Sequence, residues 1–311
     1  MKYRLFSPLS IQEMGQRNNQ EDALWPANAS KDDRLFILCD GMGGHEKGEV
    51  ASQTVSQSIG EWMNIHTIPD MPLEDEKLLG ALDYAYNALD QYADGSIRQM
   101  GTTLTLLYMH RNGATAMHMG DSRIYHIRPG VGLLYQSRDH SLVFDLYVTG
   151  EISYEDMQNY PQKNIVTRAM MPGKDNRMRP DIIHISDILP GDWFFMCSDG
   201  MLEQMGGNEL VNILSSKGSD REKLQELVEK TKDNLDNHSA WLIHIEEAVR
   251  EESDNQLENE EPVARCNALN ILPHEDDSED VVVVMKPKRS ILQKFRKLFG
   301  FRSNKKVEYE V

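Results

Sequence analysis

The sequence predicts an α+β layered fold, and two observations carry the prediction. Apolar stretches of strand length arrive as antiparallel hairpins, and stretches with apolar recurrence at three and four residues arrive in pairs. That pattern is unlike the strand–helix–strand series of a parallel sheet.

Residues 34 to 39 (Arg-Leu-Phe-Ile-Leu-Cys) are a short apolar run ending at Asp40-Gly41, a buried strand feeding a tight turn. Residues 48 to 63 and 75 to 93 read as helices, the second with Leu78, Leu82, Ala85, Leu89 and Tyr92 at helical spacing. Residues 101 to 110, rich in Thr, Leu and Tyr, read as a strand. Arg111-Asn112-Gly113 then carries an Asn-Gly hairpin signal, and residues 114 to 119 continue after it. Residues 122 to 127 make a further strand, with Arg128-Pro129-Gly130 as its turn, and residues 192 to 197 are a buried run stopped by Ser198-Asp199-Gly200. Residues 207 to 232 read as two helices, the second capped by Ser219-Asp220, and residues 238 to 245 close the pattern as a strand.

Composition bounds the function. A chain of 311 residues, 40% hydrophobic and 27% charged, is globular and not disordered throughout. No apolar run approaches the ~20 residues of a membrane span. The opening Met1-Lys2-Tyr3-Arg4 lacks the apolar stretch of a secretory signal, so a cytoplasmic location is expected. Cys39, Cys197 and Cys266 cannot form a disulfide framework, and none lies in a C-x-x-C pair. A net charge of -17 disfavours nucleic acid as a partner, since a phosphate-backbone binder needs a basic footprint.

The charge is uneven. Residues 246 to 280 hold 13 acidic against 2 basic side chains, whereas residues 281 to 311 hold 9 basic against 2 acidic. This contrast places a boundary near 246, dividing a domain of residues 1–245 from an acidic linker (246–280) and a basic tail (281–311). The linker has the composition of a disordered or weakly helical segment. Within the tail, residues 290 to 301 put Ile291, Leu292, Phe295, Leu298 and Phe299 on one helical face, flanked by Lys294, Arg296 and Lys297. Such a helix suits the inner face of an anionic membrane or a protein partner, or folds back on the acidic domain.

Asp40, Asp121, Asp199 and Asp236 each stand at the edge of a strand-like segment, three of them beside glycine. Any one Asp-Gly is explained by turn chemistry. Four at strand ends favour a site for a hard divalent ion, Mg²⁺ or Mn²⁺, which takes oxygen ligands and keeps several waters. Such ions activate water and neutralise a phosphoryl group, and Arg17, shortly before Glu21-Asp22, is a candidate phosphate binder. The ten histidines have no H-x-x-x-H or H-E-x-x-H spacing, so zinc has no support. His118, in a strand, reads as a satisfied core residue, and Cys39 and Cys197 as small packing residues.

These residues fall in blocks that resemble a known family, the metal-dependent protein serine/threonine phosphatases of type 2C. Gly15-Gln-Arg17-Asn-Asn-Gln20-Glu21-Asp22 resembles its opening G-x-R-x-x-N-E-D. Asp40-Gly-Met-Gly-Gly-His45 with Gly48-Glu49-Val-Ala-Ser52 resembles its D-G-M-G-G-H-x-x-G-E-x-A-S block. Gly101-Thr-Thr103, Gly120-Asp-Ser-Arg123, Asp139-His-Ser141, Thr167-Arg-Ala169 and Ser198-Asp-Gly200 follow in the family's order. Its last motif, D-N-x-[ST] entering a strand, matches Asp236-Asn-His-Ser239 better than Asp277-Ser-Glu-Asp280, which lacks the Asn and the Ser/Thr.

The resemblance implies a four-layer α-β-β-α sandwich of two mainly antiparallel sheets flanked by helix pairs. It also implies two Mg²⁺ or Mn²⁺ ions, with a third as in bacterial members. By position, Asp40 bridges two metals, Gly41 offers its carbonyl to one, and Asp199 and Asp236 hold the other. Glu21 and Asp22 act mainly through metal-bound waters, Asp121 with Asp199 holds the third ion, and Arg17 grips the substrate phosphate. The implied reaction is direct attack by a metal-bridging hydroxide on phosphoserine or phosphothreonine of phosphorylated proteins, opposing a serine/threonine kinase. Residues 138 to 170 correspond to a mobile flap beside the site.

Two positions depart from the pattern: Gln20 replaces Asn, and Met42 stands where animal members have a histidine proposed as general acid. With His45 equally suited to a helix-entry role, the general acid is unassigned. The rival readings are a phosphoprotein-binding module with little turnover, a metal-dependent nuclease and a membrane-tethered scaffold.

Overall fold

The structure, a computed structural model, describes residues 2–43, 46–92 and 100–249. The chain opens with β1 (Lys2–Leu5), β2 (Leu9–Glu13), β3 (Asp22–Trp25) and β4 (Leu35–Met42), followed by helices α1 (Glu46–His66) and α2 (Asp75–Leu89). Strands β5 (Gly101–Thr102), β6 (Leu104–His110), β7 (Gly113–Met119), β8 (Arg123–Arg128) and β9 (Gly132–Gln136) lead to α3 (Leu142–Val148) and α4 (Tyr154–Asn159). Strands β10 (Asp181–Ile185) and β11 (Trp193–Cys197), helices α5 (Gly207–Ser215) and α6 (Asp220–Thr231), and β12 (His238–Val249) complete it. His45, Cys266, Asp277 and residues 250–311, including the basic helix expected at 290 to 301, lie outside the described residues.

Two antiparallel sheets form the centre. One runs β1-β12-β11-β8-β9, with β2 also paired to β12; the other runs β10-β7-β6-β4-β3, with β5 paired to β4. Strand periodicity divides the core into three. On β4, Leu35, Ile37 and Cys39 pack with α1 and α2 residues such as Val55, Ile59, Leu78 and Leu82. Phe36 and Leu38 turn the other way and meet Phe194, Met196, Trp241 and Ile243 between the sheets. Trp193, Phe195, Ala240 and Leu242 face Leu210, Ile213 and Leu227 of α5 and α6. Side chains that alternate across each strand therefore bury both faces of both sheets, and the four layers follow from that alternation.

The helices stop and start as expected, with small differences. Ser219 caps α6 in a reciprocal box with Glu222, satisfying two otherwise unpaired amides. Helix α2 ends at Leu89 and tightens into a 3₁₀ turn at Asp90–Tyr92. Strand β12 continues past residue 245 to Val249 because β1 pairs with that stretch. No described helix is long and apolar enough to cross a membrane.

Within residues 138 to 170, Val143–Lys163 cluster as a compact unit of their own. There α3 ends in a Schellman turn: Gly150, at φ 74°, donates to Tyr147 O and Glu151 to Leu146 O. Helix α4 starts in a capping box of Ser153 with Asp156. Edge contacts of Tyr147 with Phe144 and with Tyr154, at centroid distances of 6.0 and 5.8 Å, join the two helices.

His118 is the core residue its strand position suggests. It is 2% exposed, and its Nε2–H donates to the Arg138 carbonyl at 2.8 Å. Burial, then the neighbouring His140, lowers its pKa to about 4. The unfolded chain binds that proton near pH 6.5, so stability falls as pH drops from 6.5 to 4, by roughly 3 kcal/mol for this group. Thermal unfolding across this range should show His118→Gln losing less stability on acidification than the wild type; equal slopes would contradict the assignment.

Candidate metal centre

The inward rows of the sandwich turn polar at one end. Phe36 and Leu38 are followed by Asp40, Leu24 is preceded by Asp22, and Phe194 and Met196 are followed by Ser198. Ile243 and Trp241 are likewise preceded by Ser239, and Ile124 by Ser122. Period-2 alternation aims all of these side chains into the space between the sheets, at the edge where the apolar filling stops.

Strand pairing sets Asp22 directly opposite Asp40. Direct opposition of like charges is unfavourable in a sheet. Asp22 is 3% exposed; its Oδ2 accepts from Ser198 Oγ at 2.8 Å, while its buried Oδ1 has no partner. Burial raises Asp22 to about 7, the nearby Ser239 and Ser198 hydroxyls opposing the rise and the charges of Asp199 and Asp236 adding to it. Asp40 is pushed well above the carboxylate range by burial and by Asp22, Asp199, Asp121 and Asp236. Asp121 rises to about 7 through burial, Asp199 and Asp139. Asp199, on a short 3₁₀ turn, reaches solvent; the protein packed around its carboxyl and the charge of Asp236 raise it.

Glu21 and Asp236 reach the cluster on two loops tied together by Asn237. Its Nδ2 donates to Met14 O at 2.8 Å and Asn19 O at 3.0 Å, and its Oδ1 accepts from Glu21 N at 2.8 Å. Gln20 keeps an amide at this position, accepting from Asp22 N and donating to Glu13 O. Gly41 donates to Glu21 O at 3.1 Å. A Cβ on Gly41 would lie 2.2 Å from Gly48 O, and one on Gly48 2.5 Å from Glu21 Oε2. Gly41 is therefore required by the approach of α1 to the site, and a side chain at Gly48 would displace Glu21. The Arg17 guanidinium lies at the cluster, donating to Asp236 Oδ2 at 2.6 Å.

The site residues expected from sequence are thus brought together: Asp22, Asp40, Asp121, Asp199 and Asp236 act electrostatically on one another, with Glu21, Gly41 and Arg17 bonded at the rim. Several supporting residues carry no role in the sequence reading. Ser198 bonds Asp22, Asn237 clamps the rim, and Arg123 grips Asp139 in a bidentate pair at 2.7 and 2.6 Å beside the Asp121 corner. All sit inside the motif blocks, which are the signal that marks them. Met42 carries no titratable proton, so that position supplies no general acid.

An all-oxygen donor set, mutual repulsion among clustered carboxyls and the orphaned Asp22 oxygen fit hard divalent cations. Mg²⁺ and Mn²⁺ keep waters, so their protein ligands can be spread over more than one ion. A tighter group, His118, His140 and Asp181, has ligand atoms within 4.8 Å of one another. There, however, Gly120 N–H donates to His140 Nδ1, leaving Nε2–H to face Asp181 Oδ2 at 3.2 Å, and Arg168 donates to Asp181 Oδ1 at 2.8 Å. A guanidinium already supplies the positive charge, and we read this group as a hydrogen-bonded network rather than a metal site.

Comparison with known proteins gives the family. Residues 13–242 match the family model described as Protein phosphatase 2C. The chain belongs to the protein phosphatase 2C family. A putative protein phosphatase 2C-type from Streptococcus pyogenes is 32% identical over 238 residues, covering 75% of this chain and 95% of the relative. The serine/threonine phosphatase Stp1 of Staphylococcus aureus superposes with a TM-score of 0.68 at 28% identity, over 79% of this chain and 98% of that one. The catalytic domain of PstP in complex with two manganese ions gives 0.65 at 26% identity, over 79% and 100%. The protein phosphatase 2C family is metal-dependent, and its sandwich is the fold described above.

Removing the Asn237 clamp should loosen this site. Asn237→Ala leaves Met14 O, Asn19 O and Glu21 N without their partner, at a cost of about 2–4 kcal/mol. The expected fall in thermal midpoint is about 5–10 °C, measured in EDTA. A midpoint unchanged within about 2 °C would contradict the clamp.

Proposed function

We propose that this protein is a Mg²⁺- or Mn²⁺-dependent protein serine/threonine phosphatase acting on phosphorylated proteins. The observation that carries the reading is the group of mutually repelling carboxyls at the polar end of the inter-sheet core, with an arginine at its rim. The family membership and the likeness to a manganese-loaded phosphatase support it.

Asp40 and Gly41 would hold one ion, and Asp40 would share a second with Asp199 and Asp236. Glu21 and Asp22 would orient water around them, and Asp121 with Asp199 would take a third. Bound there, the ions supply a water-derived nucleophile at neutral pH and positive charge against the phosphoryl oxygens. Arg17 presents parallel N–H donors that match two phosphate oxygens, orienting the phosphoester beside the carboxylates. Ser198 and Asn237 keep Asp22 and Glu21 in place, so the ligand set needs little rearrangement to receive substrate.

We assign catalysis to residues 1–245, with 246–280 as linker and 281–311 as tail, and we place the protein in the cytoplasm opposing a serine/threonine kinase. The amphipathic pattern of residues 290 to 301 supports contact with a membrane surface or a partner.

The test is hydrolysis of a phosphothreonine peptide with Mn²⁺, Mg²⁺ or EDTA. Activity should require metal and fall at least about 100-fold in Asp40→Ala, Asp199→Ala and Asp236→Ala, while Asp277→Ala retains it. Loss in Asp277→Ala with Asp236→Ala active would move the last ligand beyond residue 245. A wild type that binds the phosphopeptide without turning it over would favour the binding-module reading.

A further inference from the structure

Thr103 lies between β5 and β6, 1% exposed, at a point where two of the acidic strands' supports meet. Its backbone N–H donates to Asp40 O at 2.8 Å, and its Oγ1 accepts from Asp40 N at 2.9 Å. Both backbone polar groups of Asp40 therefore bond to this one residue, the carbonyl also accepting from Thr102 Oγ1 at 2.9 Å. The same Oγ1 lies 2.8 Å from Ser122 Oγ, the residue after Asp121, and Ser122 is itself 1% exposed.

On its other side Thr103 packs against Gly120, where a Cβ would sit 2.6 Å from Thr103 Cγ2. Gly120, Asp121 and Ser122 form the corner joining β7 of one sheet to β8 of the other. One hydroxyl thus spans from the strand carrying Asp40 to the corner carrying Asp121. A hydroxyl has a proton and two lone pairs, so it can accept from the Asp40 amide and still bond Ser122; a methyl group can do neither.

We propose that Thr103 is the positioning residue that fixes the Asp121 corner relative to Asp40, and thereby sets how tightly the site holds a divalent cation reaching Asp121. Thr103 touches neither ion nor substrate; it acts through the two acidic residues it fastens. The inference rests on the metal-dependent reading above and adds to it a residue outside the ligand set.

The full chain should be titrated with Mn²⁺ by calorimetry, and in parallel by Mn²⁺-dependent hydrolysis of the phosphothreonine peptide. Thr103→Val, which keeps the shape and removes the hydroxyl, leaves both the Asp40 amide and Ser122 without this partner and should raise the Mn²⁺ half-saturation about tenfold. Its kcat at saturating Mn²⁺ and its KM for peptide should stay within about twofold of wild type. Thr103→Ser keeps the hydroxyl and should restore wild-type affinity.

Ser122→Ala cuts the bridge from its far end and leaves the Asp40 bonds intact, so it serves even if Thr103→Val folds poorly. It should weaken Mn²⁺ binding, and the double variant should be no weaker than Thr103→Val alone. Wild-type affinity in both Thr103→Val and Ser122→Ala would overturn the inference while leaving the metal-dependent reading standing. So would a Thr103→Ser as weak as Thr103→Val, or additive effects in the double variant. A wild type that binds no Mn²⁺ would overturn the reading and the inference together.

Discussion

Like charges forced together at the end of a packed core are the constraint on which the rest of this structure depends. Asp22 and Asp40 face each other across a strand pair, and Asp121, Asp199 and Asp236 raise the electrostatic cost from three further segments. Nothing in the folding of two apolar sheets favours this. The fold tolerates it because neighbouring groups fasten several of these acidic residues in place. Thr103 takes both backbone groups of Asp40, Ser198 holds the Asp22 carboxyl, Asn237 binds the Glu21 amide, and the Arg123–Asp139 pair stands behind Asp121. Removing a charge from such a place relieves the protein, whereas removing a fastener does not.

The sandwich explains why the site lies where it does. Each strand has one row of side chains between the sheets, and those rows are apolar over most of their length because two faces must be dried against each other. Where the rows leave the apolar filling they turn to Asp and Ser on strand after strand. The site is the wet end of the inter-sheet core, and the glycines beside it are small because helix α1 and the connecting corners run into contact there. Val143–Lys163 form a unit with its own caps and aromatic contacts.

Much of this was legible in the residues. Asp40, Asp121 and Asp199 announce themselves because an acidic residue beside glycine at the edge of an apolar run is costly without a compensating cation, and the long strands β4, β6, β7 and β11 are apolar enough to read directly. The short edge strands were not legible. Lys2–Leu5 and Leu9–Glu13 bury alternate residues only, and their exposed Lys, Arg, Ser and Gln look like loop. Nor did Thr103, Ser122 or Asn237 declare a task, since a short polar residue at a strand end has many uses and only its three-dimensional partners select one. The layer count and the flap at 138 to 170 are what family resemblance implies, because distant strand pairing leaves no local periodicity to read.

The most direct test of the central claim is the stability of Asp40→Asn measured twice, in EDTA and in saturating Mn²⁺, against wild type. If the cluster is a set of repelling charges that cations relieve, the variant will be more stable than wild type in EDTA and less stabilised by Mn²⁺, so the order of the two proteins reverses between conditions. A variant that is less stable in EDTA and gains as much from Mn²⁺ as wild type would contradict it, and would make Asp40 a structural residue of the strand rather than part of a cation site.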